Sequence, residues 1–150
     1  MPEDTVNVRY MVDDVDAAVD FYTNHFGFTV GTRAAPAFAD VFRGNLRLLI
    51  SGPTSSGARP MPDGRKPQPG GWNRIELLVD DIEAEVKRLR AEGVDSFRND
   101  AITGPGGKQI LLEDPSGNPV EIFQPAGGEL RVEMACGGAS IRSRSAGQPR

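Results

Sequence analysis

The feature that most restricts this chain is a repeat. Sliding the sequence by 67 positions lays Val12-Asp13-Asp14-Val15-Asp16-Ala17 over Val79-Asp80-Asp81-Ile82-Glu83-Ala84. A strand-like run precedes each copy, TVNVRYMV in the first and WNRIELLV in the second. The aspartates carry side-chain oxygens suited to the unpaired N–H groups of a helix start. Apolar residues at helical spacing follow: Val15, Ala18, Val19, Tyr22 and Phe26, then Ile82, Val86 and Leu89. Gly27 and Gly93 stand where each helix should end, because glycine accepts the left-handed backbone of a C-terminal cap.

The two units also close alike. After Gly27 come FTVGTR, AFADVFR and LRLLIS, with Gly44-Asn45 as the turn of a hairpin. After Gly93 come DSFRND, KQILLED and VEIFQP, the last two joined by Asp114-Pro115-Ser116-Gly117-Asn118-Pro119. The expected fold is therefore α+β: strand, helix, three strands, performed twice, as two tandem βαβββ modules. One helix cannot cover both faces of a four-stranded sheet, so the two units must bury something between them. The first module is expected over 1–51 and the second over 72–125. Between them, 52–71 is half glycine or proline, which suits either a flexible linker or a lid over a cavity mouth. The stretch 126–150 is Gly/Ser-rich and without aromatics, the composition of a disordered tail.

Charge and cysteine content remove several function classes. Net charge is −4, and the last 25 residues hold four arginines against two glutamates, so the first 125 sit near −6. An acidic body of this kind lacks the basic stripe that nucleic acid requires. No apolar run approaches the roughly 20 residues of a membrane span, and the start, MPEDTVNV, lacks the apolar stretch of a signal peptide. A single cysteine, Cys136, permits no internal disulfide, so the expected location is the cytoplasm. That cysteine has no base near it in sequence, there is no serine elbow, and GPGGK (104–108) lacks the length and Ser/Thr of a phosphate loop. It reads as a loop before a strand, with Lys108 able to reach an anion.

The doubled βαβββ order, DDVDAAVDFYTNHFGF and LEDPSGNPVEIFQ together resemble the vicinal oxygen chelate superfamily, over Val6 to Pro125. That group includes glyoxalase I, extradiol dioxygenases, and fosfomycin- and bleomycin-resistance proteins. The resemblance implies a cupped mixed sheet around a cavity, with metal ligands on the first and last strand of each module, and a homodimer. Counting seven back from the second Asp of each Asp-Asp puts the first-strand positions at Asn7 and Arg74. Aligning Gly44-Asn45 on Gly117-Asn118 puts the last-strand positions at Leu48 and Glu121. Metal-dependent members carry His, Gln or Glu at three or four such positions. Here only Glu121 is a good ligand; Asn7 is a weak amide donor, Leu48 offers nothing and Arg74 is a permanent cation. No metal cofactor is therefore expected, and Arg74 should sit on Glu121 and supply the charge a metal would have supplied.

Strand alternation extends the implied site. Asn7, Arg9 and Met11 share one face, as do Trp72, Arg74 and Glu76. The expected ligand-binding set is Asn7, Arg9, Met11, Leu48, Trp72, Arg74, Glu76, Glu121 and Phe123, with Leu78 in the wall and Trp72 at the mouth or in a subunit interface. Arg9 is expected to pair with Glu76. The alternative is a divalent metal held by Glu121, Glu76 and Asn7. His25, at a helix end in NHFGF, reads as structural or solvated. The leading expectation is a protein that binds a small organic molecule, an antibiotic or aromatic metabolite, without catalysis. A metal-dependent glyoxalase-like lyase or dioxygenase is the second, and a structural dimer whose charge pairs only hold the sheets together is the third.

Overall fold

The computed structural model describes residues 4–127. The order is β1 (Val6–Met11), α1 (Val15–Phe26), β2 (Thr29–Ala34), β3 (Phe38–Arg43), β4 (Leu46–Ser51), β5 (Ile75–Leu78), α2 (Ile82–Ala91), β6 (Ile102–Gly104), β7 (Gly107–Glu113) and β8 (Pro119–Pro125). The strand–helix–three-strand unit thus occurs twice. The sheets have matching orders, β1-β4-β3-β2 and β5-β8-β7-β6, each with one parallel pair, β1 with β4 and β5 with β8. The expectations for the tail and Cys136 fall outside the described residues, apart from Ala126 and Gly127.

The repeated aspartates cap helices. Asp14 accepts a hydrogen bond from the Ala17 N–H and Asp81 from the Ala84 N–H, both at 3.1 Å, satisfying donors that have no partner inside a helix. Helix α1 ends at Gly27 in the left-handed conformation (φ 72°). Helix α2 ends one residue earlier than the glycine signal suggests, at Glu92, and Gly93 makes the left-handed turn after it. Helix α1 buries the expected stripe Val15, Ala18, Val19, Tyr22 and Phe26. With Ile82, Leu89 and the helix-facing strand residues of both sheets, these form one contiguous core.

Two local expectations are corrected. DSFRND (95–100) is not a full strand: Phe97 makes only an isolated bridge to Leu112, and the short edge strand is β6. GPGGK is then not a loop before a strand but the turn of the β6–β7 hairpin, with Gly104 and Gly107 paired across it. The Lys108 Nζ donates to Glu83 on α2 at 3.0 Å.

A further correction concerns register. Val8 pairs with Leu48 and Arg9 with Leu49, whereas Glu76 pairs with Glu121. Because Arg9 and Glu76 are 67 apart, the counterpart of Glu121 is Leu49, not Leu48. The β3–β4 turn is only Gly44-Asn45, while β7 and β8 are joined by Asp114 to Asn118, so matching the Gly-Asn dipeptides slips the alignment by one. A one-residue slip reverses the face of the sheet. Leu48 is fully buried against the helices with Val41 and Val8, and is no part of the cup wall.

Candidate functional site

Alternation divides each sheet into a helix-facing side and an inner side. Ile75, Leu77, Val120 and Ile122 are buried in the core, which leaves Glu76, Leu78, Glu121 and Phe123 on the inner side of the second sheet. On the first sheet, Tyr10, Leu48 and Ile50 face the core, and Asn7, Arg9, Met11, Arg47, Leu49 and Ser51 face the other way.

The centre of the second inner face is an arginine–carboxylate pair. Arg74 donates from Nε and Nη2 to one oxygen of Glu121, at 3.0 and 2.9 Å, and from Nη1 to the Trp72 carbonyl at 3.1 Å. Glu121 is only 6% exposed, so the guanidinium supplies the compensation that a carboxylate out of water needs. This is the pair expected from the sequence.

The second expected pair, Arg9 with Glu76, is not formed. Arg9 donates from Nη1 to the Ser51 hydroxyl at 2.6 Å, on its own sheet. The reason is topological: β1 and β5 are edge strands of separate sheets, and no ladder brings their opposing residues together. Glu76 lies beside Glu121 instead, across the β5–β8 pair. Desolvation pushes its carboxyl up to about 7, with further increments from a hydrogen bond to Glu121 and from that residue's negative charge; Arg74 acts in the opposite direction. Glu76 thus holds its proton up to near neutral pH.

A buried tyrosine joins the modules. The Tyr10 hydroxyl donates to the Pro119 carbonyl at 2.7 Å and accepts from the Ile75 N–H at 2.9 Å. Burial, above all, pushes its pKa up to about 12, so it stays a neutral two-way bridge. Asn118 is a second junction, donating from Nδ2 to the Met11 carbonyl (2.7 Å) and accepting at Oδ1 from the Gly70 N–H (2.8 Å). Asp114 anchors the same turn, accepting from Tyr22 on α1 at 2.9 Å and from the N–H groups of Ser116 and Asn118. His25 lies far from these groups in role: its Nδ1 is 2.7 Å from Glu92 Oε1, tying the ends of α1 and α2.

The long connection between the modules is ordered against this junction. Its short 3-10 turn, Ser56–Ala58, lies over Arg9, such that a Cβ on Gly57 would come within 2.9 Å of Arg9 Nη1. Gln68 and Gly70, farther along, help line a cavity of about 360 Å³ that Arg9, Met11, Arg74 and Asn118 also line. Trp72 is 70% exposed, with the Arg98 guanidinium 4.8 Å from its ring centre. Arg98 is itself held by Glu113 at 2.7 Å and by the carbonyls of Gly71 and Gly117.

Of the nine residues expected to bind ligand, Arg74, Glu76, Glu121 and Phe123 lie on or next to one inner face and Asn7, Arg9 and Met11 on the other. Trp72 stands exposed beside the first group, and Leu48 is in the core. Sequence reasoning missed Tyr10, Asn118, Leu49 and Arg98. In the sequence Tyr10 is one residue of the strand-like run TVNVRYMV and Asn118 one residue of a turn, and only their distant partners reveal their bridging role. As for metal binding, no group of three or more His, Cys, Asp or Glu side chains that could hold an ion occurs among the described residues. Asn7 and the Glu76–Glu121 pair stand on different sheets.

Comparison with known proteins agrees with this architecture. Two curated mycobacterial proteins, from Mycobacterium bovis and Mycobacterium tuberculosis, each named "Putative glyoxylase CFP32", are 28% identical over 118 residues. That match covers 78% of this chain but only 44% of theirs, so the chain spans less than half the length of the curated relatives it matches. Among solved structures, a lactoylglutathione lyase from Agrobacterium tumefaciens superposes with a TM-score of 0.66 at 24% identity, covering 86% of this chain and 96% of that one. TnmS3, an antibiotic binding protein from Streptomyces sp. CB03234, gives 0.62 at 24% identity, covering 81% and 95%. A superfamily member from Sphaerobacter thermophilus gives 0.64 at 27% identity, covering 80% and 95%. With the family model matching residues 5–122 on top of the doubled βαβββ fold, the chain belongs to the Glyoxalase/Bleomycin resistance protein/Dioxygenase superfamily.

Proposed function

We propose that this protein binds a small organic molecule on the inner side of its sheets and does so without a metal. The observation that carries the reading is Arg74 seated on Glu121. A permanent cation holds the one strong ligand of the expected metal set, and its charge does the work that a divalent ion would do. The fold itself does not choose, since it is shared by a protein named as a lyase and one named as an antibiotic binder. The choice rests on side chains. An inner face of Leu78, Leu111 and Phe123 around a few placed charges is the usual make-up of a small-molecule site. An antibiotic or aromatic metabolite is the ligand class we favour, bound by a cytoplasmic homodimer. No described helix is long and apolar enough to cross a membrane.

The second reading is a metal-dependent lyase or dioxygenase using Glu121, Glu76 and Asn7. It draws on the freedom of Glu76 from Arg9 and its place beside Glu121. Metal analysis of protein purified without chelators separates the two. We expect less than stoichiometric divalent metal; a full equivalent that disappears in Glu121→Ala would overturn the metal-free reading. A thermal-shift screen with planar antibiotics and short aromatic acids tests binding itself, and light scattering tests the dimer.

A further inference from the structure

We infer that the cavity at the junction of the two modules takes the anionic group of the ligand, a carboxylate or a phosphate. The inference deepens the binding reading above and rests on it in one respect, that a small molecule enters this side of the fold.

The charge of the cavity is the first argument. Arg9 from the first module and Arg74 from the second both line it, with the amide side chains of Gln68, Asn73 and Asn118, and no aspartate or glutamate is among its lining residues. It is thus a positively charged recess in a chain whose net charge is −4. The state of the two arginines is the second. Arg74 is matched by Glu121, but the described partner of Arg9 is a neutral hydroxyl, Ser51 Oγ, at 2.6 Å. Arg9 therefore keeps its charge uncompensated and most of its N–H groups uncommitted among the described contacts. A guanidinium presents these donors in a planar fork that matches carboxylate and phosphate oxygens.

Pre-organisation is the third argument. The 3-10 turn at Gly57 lies against the Arg9 side chain, and the hydrogen bond from Gly70 N–H to Asn118 Oδ1 holds the far part of the same connection over the recess. A donor restrained before the ligand arrives loses less freedom on binding. Val8, Met11 and Ile75 supply an apolar wall, and about 360 Å³ accommodates a small aromatic acid. The anion would lie between two arginines supplied by different modules, so its binding would also draw the modules together.

Calorimetric titration of the full chain with benzoate, its neutral isostere benzamide, and inorganic phosphate tests this. We expect benzoate to bind at least ten-fold more tightly than benzamide, with the preference shrinking as salt rises. Arg9→Gln should abolish the preference, with melting curves confirming the fold. Phosphate that displaces benzoate assigns the site to phosphate-type anions as well; phosphate that does not assigns it to carboxylates. Equal binding of benzoate and benzamide in the unaltered protein would overturn the inference and leave the binding reading standing. So would a preference that survives in Arg9→Gln. If none of the three probes binds, the anion site is refuted, and the screen of antibiotics and aromatic acids judges the broader reading separately.

Discussion

Arg74 places two guanidinium nitrogens on a single oxygen of Glu121, at 2.9 and 3.0 Å, and Glu76 is the register partner of that same glutamate across the β5–β8 pair. The arrangement assigns different roles to two adjacent glutamates. Glu121 is neutralised by a fixed cation, while Glu76, next to it, has its own pKa raised to about 7.

Removing the cation should therefore be costly. Arg74→Ala leaves a buried carboxylate without its partner, and we expect a loss of about 3 kcal/mol, the lower end for breaking a buried pair, because the Arg74 side chain is 27% exposed. The double variant Arg74→Met/Glu121→Leu should recover most of that loss, as apolar replacement removes both charges together. Urea unfolding measures both, and a double variant no more stable than Arg74→Ala would count against the account.

The raised pKa of Glu76 makes a pH prediction. Below the ordinary glutamate range, folded and unfolded chains both hold a proton on Glu76. Between that range and about 7 the folded protein keeps a proton that the unfolded chain has released, so stability falls as pH rises through this window. Glu76→Gln cannot lose a proton. Its melting temperature should exceed that of the parent at pH 8 by more than at pH 4.5. A gap that is constant with pH would show that Glu76 carries no raised pKa.

The register is testable by two neighbouring leucines. Leu48→Ala opens a cavity in the core and should cost about 2–5 kcal/mol. Leu49→Ala, on the inner face and only partly buried, should cost under about 1 kcal/mol and change ligand affinity instead. If Leu49 were the more costly of the two, the assignment of faces would be wrong.

At the junction, Tyr10→Phe removes one hydroxyl and strands two buried backbone groups, the Ile75 N–H and the Pro119 carbonyl. The expected loss is about 1–3 kcal/mol. Hydrogen exchange should locate it, with the Ile75 amide losing protection most; unchanged protection there would mean that the tyrosine does not hold the modules together.

Much of this architecture was readable in the residues because it depends on local signals. The aspartate caps, the apolar stripe of α1 and the glycine after it involve partners a few positions apart, and each is found as expected. The Arg74–Glu121 pair was also legible, since the ligand positions implied by the resemblance to the superfamily put both residues at one site. The Arg9–Glu76 pair failed, because parity says which face a side chain takes and not whether two edge strands meet. The Leu48 assignment failed for a related reason. A two-residue turn and a five-residue turn both end in Gly-Asn or contain it, and their difference in length shifts every later residue to the other face.

What the sequence determined by itself is the doubled unit, its helices and the chemistry available at its inner faces: one good metal ligand and a set of arginines where a metal site would need more carboxylates or histidines. The doubled unit and its helices follow from periodicity and residue type, which need no knowledge of distant partners; the metal-ligand positions are those that the resemblance to the superfamily implies. Only the tertiary structure decided which charges meet. Tyr10 and Pro119 lie 109 residues apart, and Arg9 turned to Ser51 rather than Glu76, because side-chain pairing depends on how two separately formed sheets are set against each other, and that is fixed by packing between them rather than by any local rule.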